Sequence, residues 1–215
     1  MRKRYFLVVL LAIMAIGMEA QTTTTALTVY KEFQPATIHL VDGRRLKVGF
    51  ANIFLKNSSL LYKSGNETKE ANLKTLTKVD FKDRTYYCID TLLAYQVDTV
   101  GNQQLYCAQR IDIAAWKGMI INNRMMTNIS LNDMLSYTTT DLGDEQDIHF
   151  PIINLYYLKL NGKYVLAHER HLKRVLDKEK RRLMESVMSE PGFSWTSEES
   201  LFKLLKYIQD GLRPK

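Results

Sequence analysis

The densest run of side chains able to do chemistry is "VLAHERHLKRVLDKEKRR", residues 165–182, with two histidines, a glutamate and many basic groups. His168 and His171 are three apart, close enough to share a helix face, with Glu169 between them. A helical zinc site uses H-E-x-x-H, where the four-residue step aims both imidazoles at one ion and the glutamate serves as base. Here that step is missing, no third ligand is at hand, and Arg170, Lys173 and Arg174 would repel a cation. No metal is therefore expected. Lys173, Arg174, Arg181 and Arg182 interleave with Leu172, Val175, Leu176 and Leu183 at helical steps, the pattern of a solvated helix face. The functional alternative is attraction to phosphate groups of envelope lipid or polysaccharide.

A second cluster, "DLGDEQD", places Asp141, Asp144, Glu145 and Asp147 within seven residues. Oxygen ligands in a flexible loop suit calcium, but the glycine and closing glutamate of the twelve-residue calcium loop are out of place. A solvated acidic loop is the better reading. Nucleophilic chemistry has no support in spacing. The chain lacks a G-x-S-x-G elbow, a Gly-rich phosphate loop and a dinucleotide fingerprint, so no cofactor is expected. Neither Cys88 nor Cys107 has a histidine close in sequence. The two could close a disulfide, adding on the order of 3 kcal/mol, or stand apart as two buried thiols. The tyrosines of "NLYYLKL", with Tyr164, read as half-buried sheet residues, with a sugar-stacking face as the alternative.

The elements that would position these groups begin after a leader. "MRKRYFLVVLLAIMAIGMEAQ" has a basic end, an apolar run from Phe6 to Ile16 and a small-residue exit, the order of a secretory signal. The run is short of the about 20 residues a membrane span needs, which disfavours a retained anchor. Cleavage after Ala20 is expected, placing the mature chain in the periplasm or outside the cell. The 215 residues carry a net charge of +7. Loss of the leader, with three basic residues and Glu19, leaves a mildly basic protein, out of reach of intracellular nucleic acid. No later stretch reaches spanning length, so no transmembrane segment is expected in the mature chain.

From Leu27 to about Tyr106 the chain alternates short strand-like runs with turn residues: Asp42-Gly43, read as a type I′ turn, then Ser64-Gly65-Asn66 and Gly101-Asn102. Asp112 could cap a short helix carrying Ile113, Trp116 and Ile120. A further hairpin turns at Asn161-Gly162. The C-terminal part is helical, divided at Asp177, and Thr196 with Glu199 reads as a capping box before the stripe Leu201, Leu204, Leu205 and Ile208. The fold expected is α+β: a β-rich small barrel or sandwich of hairpins over residues 21–120, following a signal peptide over 1–20. Residues 121–215 would add an irregular segment, a β-hairpin and helices packed on it, in one compact unit with the β-rich module.

The motifs "ATIHLVDGRRLKV", "NIFLKNSSLLYK", "LAYQVDTVGNQQLYC", "LYYLKLNGKYVLAHERHLKRVL" and "FSWTSEESLFKLLKYI", in that order behind a leader, resemble a group of exported proteins common in Bacteroidota-type Gram-negative bacteria. The resemblance implies lineage and compartment, and it assigns no site residues. It also makes "DTL" and "DTV" similar to the three-residue O-glycosylation signal of such proteins, with Thr91 and Thr99 as acceptors. The function expected is that of a non-catalytic envelope protein binding another envelope protein or a glycan. The alternative is a periplasmic hydrolase whose site assembles only in the fold.

Overall fold

In the computed structural model, residues 23–123 and 149–210 are described. The leader and the acidic cluster of Asp141, Asp144, Glu145 and Asp147 lie outside these residues. The described strands are β1 (Thr23–Thr24), β2 (Gln34–Leu40), β3 (Arg45–Phe54), β4 (Ser59–Ser64), β5 (Glu67–Glu70), β6 (Leu76–Asp80), β7 (Thr85–Ile89), β8 (Leu92–Val100), β9 (Gln103–Ile111), β10 (Phe150–Leu160) and β11 (Lys163–Leu166). The helices are α1 (Ile113–Asn123), α2 (Glu169–Val175), α3 (Lys178–Met188) and α4 (Glu198–Asp210). All eleven strands join one antiparallel sheet in the order β1-β10-β9-β8-β7-β6-β2-β3-β4-β5, with β11 also on β10.

The class is α+β, but the sheet is a curled half-barrel rather than a closed barrel or a two-sheet sandwich. β10 and β11 extend the N-terminal sheet directly, because β10 pairs with β9 from Ile152↔Ile111 to Lys159↔Gln104. The curl is secured by the β3–β4 connection. Ser58 O accepts from Leu93 N and Leu55 O from Ile111 N, each at 2.7 Å, while Ser58 Oγ donates to Leu93 O at 2.7 Å. These bonds bring one hairpin end onto β8 and β9, across the intervening strands, without a continuous ladder between the sheet's edges. Strand alternation then gives the sheet an inner face. One part packs on itself through Ile38, Ile53, Leu60, Val79, Tyr86 and Leu93. The other, with Leu105, Cys107, Tyr156 and Leu158, is covered by Leu172, Met184, Leu201, Leu204 and Leu205 of the helices.

Local chemistry explains the boundaries. Asn161 and Gly162 both take positive φ, 50° and 81°, as a two-residue primed turn demands. At Asp42-Gly43 only Gly43 is left-handed, with φ 85°, and Gly43 N donates to Leu40 O. The type I′ reading is thus corrected to a wider turn. The Asp42 carboxylate holds it, accepting from Arg44 N at 3.0 Å and from Arg44 Nε at 2.7 Å. Asp112 caps α1 through Ala115 N at 2.9 Å, and Asp177 separates α2 from α3 by accepting from Lys180 N at 2.8 Å. The cap of α4 is Ser197, whose Oγ accepts from Ser200 N, not Thr196. Thr196 instead shares a hydrogen bond with Ser194 Oγ, so the expected capping box shifts by one residue. Among the described residues no helix is long and apolar enough to cross a membrane.

Candidate functional site

The histidine pair is built into a helix start. His168 is the N-cap of α2, its Nδ1 accepting from Arg170 N at 3.3 Å. Its ring stacks on Trp195 and meets His171 edge-on, each at 6.1 Å between centroids. That cap engages Nδ1 of His168, and no metal-binding group of three ligands occurs among the described residues. Lys173 pairs with Glu169 at 2.6 Å and Glu185 at 3.1 Å, and Arg181 Nε donates to Leu176 O at 2.8 Å, covering the end of α2. Leu172 and Leu176 are buried, but Val175 is 50% exposed, so the apolar stripe is narrower than its spacing implies.

Cys88 and Cys107 are both free thiols. They sit on β7 and β9 with β8 between, opposite Leu93 and Tyr95 in turn, so strand spacing alone holds them at least about 9 Å apart, beyond the about 7 Å limit for a bridge. Cys88 Sγ donates to Leu73 O at 3.2 Å. Burial pushes the Cys107 thiol up from 9.0 to about 11, the Glu198 carboxylate adds to this, and the hydroxyls of Tyr95 and Tyr156 beside it act in the opposite direction. Burial also raises Cys88. Neither thiol is primed as a thiolate nucleophile. Thr91, beside the β7–β8 turn, and Thr99, on β8, are exposed; Thr99 Oγ1 accepts from Gln96 Nε2 at 2.7 Å. Tyr156 and Tyr157 are buried, and Tyr164 packs edge-on against Tyr106, so these tyrosines serve the sheet.

Three arrangements escaped the sequence because their parts are far apart in the chain. His39 Nε2 lies 2.6 Å from Asp80 Oδ2 across β2 and β6. Burial works against the Asp80 charge, but bonds from Lys78, Thr85 and His39 outweigh it and hold the carboxyl below its ordinary range. Thr85 Oγ1 donates to Asp80 at 2.9 Å rather than to the imidazole, so among the described residues no hydroxyl is set on the histidine as a nucleophile. Second, Tyr30, Phe81, Tyr86 and Tyr95 form a row of rings 4.9, 5.8 and 5.9 Å apart, with the Arg84 guanidinium 4.1 Å over Tyr95. Tyr30 Oη donates to Asp83 at 2.8 Å. Burial lifts the phenols of Tyr30, Tyr86 and Tyr95 above their ordinary range, so they stay protonated at neutral pH.

The third arrangement is a groove of about 470 Å³ at the β2–β3 hairpin, lined chiefly by Ile38, Leu40, Leu46, Val48, Tyr62 and Leu76. The hairpin tip is fixed beside the short helical turn at Leu73–Thr75 because Val41 N donates to Thr75 O at 3.0 Å. Val41 is 63% exposed and Leu46 46%. The charges at the rim, Asp42 and Arg44, are paired with each other at 2.7 Å. The groove therefore offers apolar surface with its rim charges already matched.

The fold and groove define an α+β protein whose half-barrel sheet is covered by helices on one part of its inner face and open to solvent at the hairpin end. Comparisons with protein-family models, curated proteins and solved structures find no match.

Proposed function

We propose that the protein is exported to the cell envelope and works there as a non-catalytic binding or accessory module that takes an apolar segment of another envelope protein into the β2–β3 groove. The leader and the resemblance to exported proteins support the compartment. The observation that carries the binding role is the pairing of exposed Val41 and Leu46 with a groove whose rim charges neutralise each other. An occupant needs apolar side chains and no compensating charge, which favours a protein segment over a glycan. Covering Val41 and Leu46 would contribute roughly 1–3 kcal/mol each.

The test is co-purification of the tagged protein from its native envelope, beside Val41→Asp and Leu46→Asp. A partner protein should be lost with either variant while both remain folded. A partner retained at wild-type level by both, or a glycan recovered in its place, overturns the groove assignment. A second reading, a periplasmic hydrolase, rests on the His39–Asp80 pair, which only the fold brings together. Hydrolysis of envelope glycan or peptide that disappears in His39→Gln would favour it.

A further inference from the structure

A separate cleft of about 400 Å³ lies where the β8–β9 and β10–β11 hairpins meet the corner between α2 and α3. It shares no lining residue with the β2–β3 groove. Lys163, Arg174 and Lys180 line it, and Asp177 is the one carboxylate in its lining. None of the three cations has an ion-pair partner among the described residues. Asp177 Oδ1 is engaged as the cap of α3, accepting from Lys180 N. The eleven-residue helix α3 thus starts at the cleft, its N-terminal partial charge offset in part by the Asp177 carboxylate, so the lining cations supply most of the positive field. Glu179 lies in that first turn but does not line the cleft.

Gln103 gives an independent indication of a ligand. It lines the cleft, is only 5% exposed, and its buried Oε1 has no hydrogen-bond partner. Its position is set by the β8–β9 turn. Gly101 takes φ 57°, a left-handed conformation that glycine adopts without strain, and lies against the flexible Gln209 side chain on α4. A buried acceptor left unpaired costs about 1–3 kcal/mol. A donor supplied by a ligand would remove that cost.

We propose that this cleft binds a phosphomonoester of a polyhydroxy compound, with the phosphate held by Arg174, Lys180 and Lys163 at the start of α3 and a hydroxyl donating to Gln103 Oε1. Arginine and a helix N-terminus suit phosphate oxygens, while the amide oxygen selects for the hydroxyl. A soluble sugar phosphate and a phosphorylated lipid headgroup share this chemistry.

The experiment is calorimetric titration of the protein, purified as its host makes it, with glucose phosphate, inorganic phosphate and glucose at low salt. In parallel, co-sedimentation with phosphatidylcholine vesicles is measured with and without phosphatidylinositol phosphate. Glucose phosphate should bind about tenfold more tightly than inorganic phosphate, the worth of one hydrogen bond to a previously unpaired group, and glucose should not bind. Binding confined to the phosphorylated vesicles supports the proposal with a lipid source. Arg174→Gln with Lys180→Gln should weaken binding of every phosphorylated probe at least about tenfold. Lys47→Gln with Lys206→Gln, the same charge change at exposed sites outside the lining, should not. Gln103→Leu, close in size and checked for folding by its melting curve, should erase the advantage of glucose phosphate and leave inorganic phosphate unchanged. The proposal is overturned if no phosphorylated probe binds, if both double variants weaken binding equally, or if Gln103→Leu keeps the advantage.

Discussion

Raising the pH past 9 should destabilise this protein, with the Cys107 thiol the first buried group to contribute. The residue is fully buried on β9 under the helices, and its thiol is held protonated up to about 11, from an ordinary 9.0. An unfolded chain releases the proton near 9, whereas the folded chain keeps it until about 11. In that window the folded state binds more protons, so stability falls as pH rises; below it the contribution is intact. Two units correspond to about 2–3 kcal/mol, a large share of the about 5–15 kcal/mol typical of a domain. The Tyr156 phenol, raised by burial from 10.0 to about 12, adds to the loss from about pH 10 upward, as do the other buried phenols, so the share of Cys107 is read from the difference between wild type and variant. The assay is urea unfolding followed by tryptophan fluorescence at a series of pH values, for the wild type and Cys107→Ala. The variant should start somewhat less stable from its small cavity, yet lose about 2–3 kcal/mol less between pH 9 and 11. Equal slopes would refute the assignment of late titration to this thiol.

Other consequences are more direct. Leu204→Ala removes a fully buried side chain between α4 and the sheet and should lower stability by about 2–5 kcal/mol in the same assay. Lys173→Gln with Arg182→Gln should cost within about 1 kcal/mol each, as exposed charges do, while Arg181→Gln should cost more because it frees Leu176 O at the end of α2. A chelator should leave the melting temperature unchanged, in the wild type and in His168→Gln with His171→Gln; a chelator-induced drop abolished by the double variant would restore a metal site. Intact mass of protein from the native host should lack residues 1–20; a full-length mass in a cytoplasmic fraction would contradict export.

How much of this was legible depended on distance along the chain. The Gly65, Gly101 and Asn161-Gly162 turns and the caps at Asp112 and Asp177 are local, and their side chains state them. The stripe of Leu201, Leu204, Leu205 and Ile208 is also local, and all four are buried. The capping box failed by one residue because Thr196 and Ser197 compete for one role. The sheet's form was not legible, since the bonds from Leu55 and Ser58 to Ile111 and Leu93 depend on long-range curl rather than strand period. The same holds for the candidate sites. Leu46 alternates as a core residue would, yet it is exposed because the groove beside it is left open. His39 and Asp80 are 41 residues apart. Gln103 looks like an ordinary polar residue after a turn until the helices bury it. The run 165–182 stands out by its basic composition, yet of its basic residues only Arg174 and Lys180 line the second cleft.

Occupation of the β2–β3 groove by an envelope protein can be tested in place. Its most direct test is a photo-crosslinking residue placed at Leu46 in cells of the native host, with Lys206, exposed on α4, as the control position. Position 46 should give one dominant adduct with an envelope protein, position 206 none, and the adduct should be lost when Val41→Asp is added. Equal labelling from both positions, or an adduct at position 46 unaffected by Val41→Asp, would contradict it.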